Sequence, residues 1–483
     1  MSEELYREHL QDWKEREELA EASLPLIGRL YRDHGVVTLI YGQPVIKRGP
    51  MHILKAHRYV RRVENSELSI RDSFPLLEAM SRLPLSPARI DWGRLAVLWL
   101  REGKKESPDA FVARELAGCI EGRPALPEKP QDVVLFGFGR IGRLVTRLLV
   151  ERMGTGEILR LRAIAVRKQE EGDIHKRASL LRRDSVHGLF NGTIQIDEAN
   201  QALIVNGNFI KMIYADAPEK ADYASCGITN AIVIDNTGKW RDEEGLGRHL
   251  RAPGAAKVLL TAPGKGAIKN VVFGVNEGTI GDDDRILSAA SCTTNAIVPV
   301  LKAIHDKFGV ESGHVETVHA YTNDQNLIDN YHKKTRRGRG APLNMVITET
   351  GAAKAVAKAI PELAGKLTGN AIRVPVPNVS LAILHLNLAA DVTVESVNEH
   401  LRFMALYSSM QKQIDYSAST EIASTDIIGS RRAGVVDSMA TIASGRRTVL
   451  YVWYDNEFGY SAQVVRVVHK MAGIRYPLYP QPA

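Results

Sequence analysis

The chain has 483 residues, 44% hydrophobic and 25% charged, ordinary values that exclude a disordered, collagenous or coiled-coil protein and suit two or three domains. Its formal charge of +7 is modest, and fits a protein handling phosphorylated metabolites at least as well as one binding nucleic acid. Three cysteines (Cys119, Cys226, Cys292) cannot form a disulfide framework, no apolar run spans a bilayer, and the acidic start lacks the order of a secretory signal, so a cytoplasmic protein without membrane contact is expected.

Residues 1–130 read as a mainly helical extension. Leu26, Ile27, Leu30 and Tyr31 recur at helical spacing, as do Leu95, Leu98 and Trp99. The first 22 residues are acid-rich, whereas His34 to Val63 carries Lys47, Arg48, Lys55, Arg58, Arg61 and Arg62 with no carboxylate. With Tyr41 and Tyr59 among them, these cations leave a nucleic-acid or protein partner open, against the plainer reading of a solvated helical face. Prolines 124, 127 and 130 then break the chain.

Beyond the break, β-like runs alternate with helical patterns, which predicts an α/β fold with a parallel sheet covered on both faces. The strand Val133–Phe136 runs into Gly137-Phe-Gly139-Arg-Ile-Gly142 and a helix over Ile141–Val150. Gly137 suits a tight turn, Gly139 the approach of a pyrophosphate, and Gly142 close packing of helix on strand, the pattern of a dinucleotide site. The next strand, Leu161–Val166, ends in Arg167-Lys168, where a ribose-binding carboxylate is expected. Cations there suit a 2′-phosphate, hence NADP. Glu170 and Glu171 keep NAD open as the ribose partner.

Ala290-Ser-Cys292-Thr-Thr-Asn295 begins a predicted helix. A thiol at a helix start gains thiolate character from the dipole and the free amides. Ser291, Thr293 and Thr294 can cap that helix or hold an anion beside it. Cys119 and Cys226 read as buried small hydrophobes. A nucleophilic thiolate needs a partner, and His319 lies 27 residues further on, with His314 and His332 as alternatives.

Six motifs occur in the order of one family: Gly137-Phe-Gly-Arg-Ile-Gly-Arg143, Ala290–Asn295, His319-Ala-Tyr-Thr-Asn-Asp-Gln325, Thr350-Gly-Ala-Ala-Lys-Ala355, Arg373-Val-Pro-Val-Pro-Asn-Val-Ser380 and Trp453-Tyr-Asp-Asn-Glu-Phe-Gly-Tyr-Ser461. From about Asp132 to Ile474 the chain resembles phosphorylating glyceraldehyde-3-phosphate dehydrogenase, an enzyme of glycolysis and gluconeogenesis. The resemblance implies a Rossmann-type NAD(P)-binding domain over 131–291, an α+β catalytic domain over 292–455, and a C-terminal helix over 456–483 returning to the first. It makes Cys292 the nucleophile and His319 its acid–base partner. Thr322 and Arg373 are to hold the substrate phosphate; Ser291, Thr293, Thr350, Gly351 and Arg337 the inorganic phosphate, with Arg336 and Arg339 competing for the last role. Arg140, Ile141 and Asn456 are to contact the dinucleotide. No metal is implied.

The implied reaction converts glyceraldehyde 3-phosphate and inorganic phosphate to an acyl phosphate, in a homotetramer. Erythrose-4-phosphate dehydrogenase shares the motifs and is the nearest alternative; a binding or regulatory protein acting through its basic extension is the other. Two departures favour NADP or dual use. Lys168 aligns with the family's NAD-selective aspartate, after an insertion at Met153–Gly156, and Asn330-Tyr331 replaces the family's Leu-Pro or Gly-Pro. The extension lies outside the family pattern.

Overall fold

The computed structural model describes residues 3–64, 66–120, 129–152 and 158–481. The proline break up to residue 128 and the insertion at Met153–Gly156 lie outside the described residues. The chain forms two compact units, one of residues 1–128 with 473–483, the other of residues 129–472.

The first unit holds the expected helices. Glu3–His34 buries Ile27 and Leu30, and Trp92–Arg101 buries Leu95 and Trp99. It also holds a four-stranded sheet that helical spacing alone does not suggest, in the order Gln43–Pro44, Val37–Ile40, Arg89–Asp91, Leu478–Tyr479. The last three strands run parallel. The residues from Gly473 on therefore group with the extension, and the C-terminal stretch expected as one helix over 456–483 is divided: its helix is Phe458–Met471.

Polar bonds pin the first unit's interior. Buried Asp91 accepts from the backbone N–H of Tyr41 (2.9 Å), Gly42 (2.7 Å) and Arg94 (3.1 Å). The turn it holds has positive φ at Tyr41 (46°) and Gly42 (77°), where the carboxylate offsets the strain of a left-handed tyrosine. Trp92 donates to the Ser73 carbonyl (2.6 Å), and His57 bridges the Ile53 carbonyl (2.9 Å) and the Ser73 hydroxyl (2.8 Å).

The second unit contains two sheets. The larger has nine strands, with Gln131–Phe136 between Ala231–Asp235 and Leu159–Val166, parallel to both. Chain order reverses at Gln131–Phe136, the crevice in which doubly wound sheets bind ligands. Helix Arg140–Arg152 follows that strand. The smaller sheet has seven strands, its centre formed by Val310–Ala320, Ser380–Val392 and Ile442–Tyr454. Helix Cys292–Phe308 buries Ile297, Val300, Leu301 and Ile304 in the same core as Val315, Leu384 and Val452 from that sheet. This is the α/β architecture expected, a Rossmann-type sheet and an α+β catalytic domain preceded in the chain by a helical segment.

Candidate active site

Ser291 caps the helix that starts at Cys292, its hydroxyl accepting from the Thr294 N–H at 3.1 Å. Ala290, just before it, has φ 55°, a left-handed geometry costly for a residue with a Cβ. Neighbouring groups fasten that turn: the Ser288 hydroxyl accepts from Ala290 N–H (3.0 Å), Tyr460 donates to Ala290 O (2.9 Å), and the Asn295 amide donates to the Ala289 and Ser291 carbonyls (2.8 and 2.9 Å). The thiol is thus placed by a strained, bonded corner.

His319 lies near the end of strand Val310–Ala320, with Nε2 3.5 Å from Cys292 Sγ. Arg373, on strand Leu367–Val374, is paired in register with His319 and donates from one Nη to His319 Nδ1 (2.7 Å) and to the Ala320 carbonyl (2.8 Å). Toward the guanidinium Nδ1 can only accept, which puts the ring proton on Nε2 facing sulfur, whereas the Ala320 carbonyl, 2.7 Å from the same Nδ1, requires the proton there. Burial and then the Arg373 charge depress His319 to about 3. Burial pushes the Cys292 thiol up, against the pull of Arg373 and of hydrogen bonds at the helix start. The alternatives are placed elsewhere: His314 bonds Thr368 and Asn370, and His332 bonds Lys334. Cys119 is buried and donates to the Ser86 carbonyl, and Cys226 is half-buried.

The expected anion ligands fall into three groups. Thr322, half-buried, follows the His319 strand directly. Arg337 donates to Asp324, to the Thr348 hydroxyl (3.0 Å) and to the Glu349 carbonyl (3.3 Å), and its charge reaches both His319 and Arg373. Its competitors point elsewhere, Arg336 to the Ile347 carbonyl and Arg339 to Asp329. Thr350 and Gly351 lead helix Ala352–Ala359, which shares the core of the Cys292 helix. Thr293 lies beside the thiol, its hydroxyl 4.0 Å from Cys292 Sγ. Its hydroxyl is turned inward onto the Tyr454 hydroxyl (2.9 Å), which also meets Thr317 (2.7 Å).

The glycine turn fits a dinucleotide. Gly137 has φ 94°, and a Cβ on Gly142 would stand 2.6 Å from the Gly137 carbonyl oxygen. A Cβ on Gly139 would meet nothing, which leaves the open approach that a pyrophosphate requires beside the amides of Arg140 and Ile141. The Arg140 side chain itself is engaged by Glu457 and Asp184. Lys168 is exposed, with Nζ 5.8 Å from the centre of the Tyr214 ring. Glu170 pairs with Lys176 at 3.2 Å. Asn456 is buried, and its Oδ1 accepts from Ser380 (2.9 Å), whose oxygen accepts from Ala320 N–H (3.1 Å).

Residues 131–243 match the NAD binding domain of glyceraldehyde 3-phosphate dehydrogenase and residues 291–456 its C-terminal domain. The chain belongs to the glyceraldehyde-3-phosphate dehydrogenase family. It is 60% identical over 460 residues to a glyceraldehyde-3-phosphate dehydrogenase-like protein of Pseudomonas aeruginosa, covering 95% of this chain and 100% of that one. It is 40% identical to glyceraldehyde-3-phosphate dehydrogenase 2 of Bacillus subtilis and 39% identical to the Clostridium pasteurianum enzyme, each alignment covering 71% of this chain and 98% of the relative. The Pseudomonas alignment therefore reaches into the extension, and this chain is longer than the other two. Membership makes the protein an oxidoreductase with an NAD-binding domain.

Within this family site, residues not singled out from sequence complete the geometry. Tyr454 and Ser380 tie the catalytic strands together, and both lie inside motifs already noted. His187 bonds Asp455 (3.0 Å), and that carboxylate receives the Glu457 and Phe458 N–H groups (3.0 and 2.8 Å) ahead of the last helix. Among the described residues, no cluster of His, Cys, Asp and Glu is arranged to hold a metal, and no helix is long and apolar enough to cross a membrane.

Proposed function

We propose that the protein catalyses the reversible oxidative phosphorylation of glyceraldehyde 3-phosphate to 1,3-bisphosphoglycerate through a thioester on Cys292. The observation that carries this reading is the Cys292–His319–Arg373 row, with 3.5 Å from sulfur to Nε2 and 2.7 Å from Nδ1 to the guanidinium. Arg373, drawn to the substrate phosphate, leaves Nδ1 of His319 to the Ala320 carbonyl, so Nε2 takes the thiol proton as Cys292 Sγ adds to the aldehyde carbon. The Nε2–H then stabilises the oxygen of the adduct, whose carbonyl re-forms as hydride leaves. Arg373 and Thr322 hold the substrate phosphate, which fixes the carbonyl over sulfur. Bound nicotinamide dinucleotide supplies the hydride acceptor.

The oxidised acyl group remains on Cys292. Inorganic phosphate held by Ser291, Thr293, Thr350, Gly351 and Arg337 then attacks it and releases the thiolate. Gly137, Gly139, Ile141, Gly142 and the Arg140 backbone hold the pyrophosphate, and Asn456, oriented by Ser380, binds the nicotinamide amide. Arg167 and Lys168 favour NADP or use of both dinucleotides. The working form is a cytoplasmic homotetramer.

Steady-state rates with NAD and with NADP test the reading, each measured with and without phosphate and with erythrose 4-phosphate as rival aldehyde. Phosphate-dependent turnover of glyceraldehyde 3-phosphate is expected. Faster, phosphate-independent oxidation of the four-carbon sugar overturns the substrate assignment.

A further inference from the structure

The extension carries two exposed surfaces that match one another. The first is on helix Glu3–His34, where Tyr6, Trp13, Ala20 and Ile27 recur at seven-residue steps on one slowly drifting face. Ala20 and Ile27 are buried in the unit's core (0% and 2% exposed), whereas Tyr6, Leu10 and Trp13 stand open at 53%, 41% and 36%. Every residue from Glu3 to Gln11 is exposed. An apolar stripe that runs out of a core into solvent is a surface for docking. It is flanked by acid, with eight carboxylates against three cations over residues 3–22.

The second surface is on helix Pro50–Tyr59, where Met51, Lys55 and Arg58 follow the same i, i+4, i+7 spacing and Arg61 continues the row. All four are exposed. Several other cations of the extension, Arg16, Arg71, Arg82, Arg101, Lys104 and Arg114, each meet a carboxylate. Among the described residues, Lys55, Arg58 and Arg61 meet none.

We infer that the acidic, apolar start of the first helix docks on the basic face of helix Pro50–Tyr59 in a second copy of the chain. At about 1.5 Å per residue the open stripe from Tyr6 to Trp13 is about 10 Å long, within the roughly 15 Å of the row from Met51 to Arg61. Pairing two acidic stripes with each other opposes like charges, whereas the basic face neutralises them. The aliphatic stems of Lys55 and Arg58 cover apolar rings while their charged heads reach Glu4, Glu8 and the face of Tyr6. Glu3, Asp12 and Glu15 already pair within the chain, and Arg16 lies over Trp13. A two-fold arrangement makes the contact twice, since each copy owns both surfaces. The inference rests on the extension alone and is independent of the reaction proposed above.

The test uses the full-length protein. Light and 15N-labelled chains are mixed and coupled with a carbodiimide, and adducts are read by mass spectrometry. Light–heavy pairs joining Lys55 to carboxylates of residues 3–18 are expected at about 50 mM salt, and are expected to fade at about 500 mM. In sedimentation velocity, K55E/R58E is expected to weaken one association step about tenfold, and adding E4K/E8K to restore it, with turnover at Cys292 unchanged throughout. Lys55 adducts confined to one chain, or sedimentation unmoved by K55E/R58E, overturn the inference. Binding of a single-stranded oligonucleotide through Lys55 and Arg58 without self-association also overturns it and assigns the face to nucleic acid.

Discussion

Arg373 donates to Nδ1 of His319 at 2.7 Å, while the Ala320 carbonyl lies 2.7 Å from the same nitrogen. Only one of the two can be satisfied by the ring in a given protonation state: Arg373 needs a lone pair there, and the carbonyl needs a proton. The guanidinium therefore selects the tautomer. If Arg373 turns toward an anion, Nδ1 is free to bind its proton and donate to Ala320, and His319 becomes able to carry positive charge beside the thiolate.

Occupation of the substrate-phosphate site by an unreactive analogue, glycerol 3-phosphate, is therefore expected to change the pH profile of Cys292 alkylation, raising the rate at neutral pH as Arg373 leaves the ring. Iodoacetamide kinetics with and without glycerol 3-phosphate measure this. An equal response in Arg373→Leu places the effect at some other cation.

Cys292→Ser is expected to abolish aldehyde oxidation and inactivation by iodoacetamide, while Cys119→Ser and Cys226→Ser leave both in place. Only Cys292 combines a helix start with a histidine at 3.5 Å. Undiminished oxidation by the serine variant would remove the nucleophile from the mechanism.

His319→Asn is expected to slow alkylation of Cys292 at pH 7 by about ten- to a hundredfold, the worth of a hydrogen bond to a charged group. Burial already pushes this thiol up, so loss of the Nε2 donor moves it further from the thiolate. An alkylation profile matching wild type speaks against the pair.

Lys168→Asp is expected to shift kcat/KM from NADP toward NAD by about ten- to a hundredfold, leaving alkylation of Cys292 unchanged. The expectation rests on an exposed ammonium beside Tyr214 and on Glu170 being occupied by Lys176. A wild-type enzyme that prefers NAD and ignores the substitution transfers the ribose role to Glu171.

The extension is expected to loosen in acid. Burial holds His57 down at about 4, below its ordinary value of 6.5, so the unfolded state takes up a proton first as pH falls. Stability is complete above about 6.5 and is lost progressively toward 4, up to about 3 kcal/mol. Hydrogen exchange over residues 50–100 at pH 7.5 and 4.5 measures the loss, and His57→Gln should flatten it. Equal protection at both pH values contradicts the shift.

The elements legible in sequence were those whose cause is local. Gly137 and Gly142 announce the dinucleotide turn because the demand for a missing Cβ is met within six residues. Ser291 announces the Cys292 helix because a cap bonds its own first turn. The contact of Arg373 with His319 depends on the register of two strands whose partners lie 54 residues apart, and spacing cannot supply a register. The inward turn of Thr293 depends on Tyr454, 161 residues away. The extension's sheet was hidden for another reason: its strands have four, two, three and two residues, too short for alternation to register.

The strand Leu478–Tyr479 lies beside Arg89–Asp91, Pro477 receives the Arg89 N–H (2.8 Å), and a Cβ on Gly118 would stand 2.9 Å from the Tyr479 hydroxyl. The unit of residues 1–128 is completed by residues 473–483, which are made only after the whole of residues 129–472. During synthesis its sheet keeps an open edge until Tyr479 has been added, a template for a neighbouring nascent chain. Removing or crowding the residues after Ala472 would thus show its damage among residues 1–128.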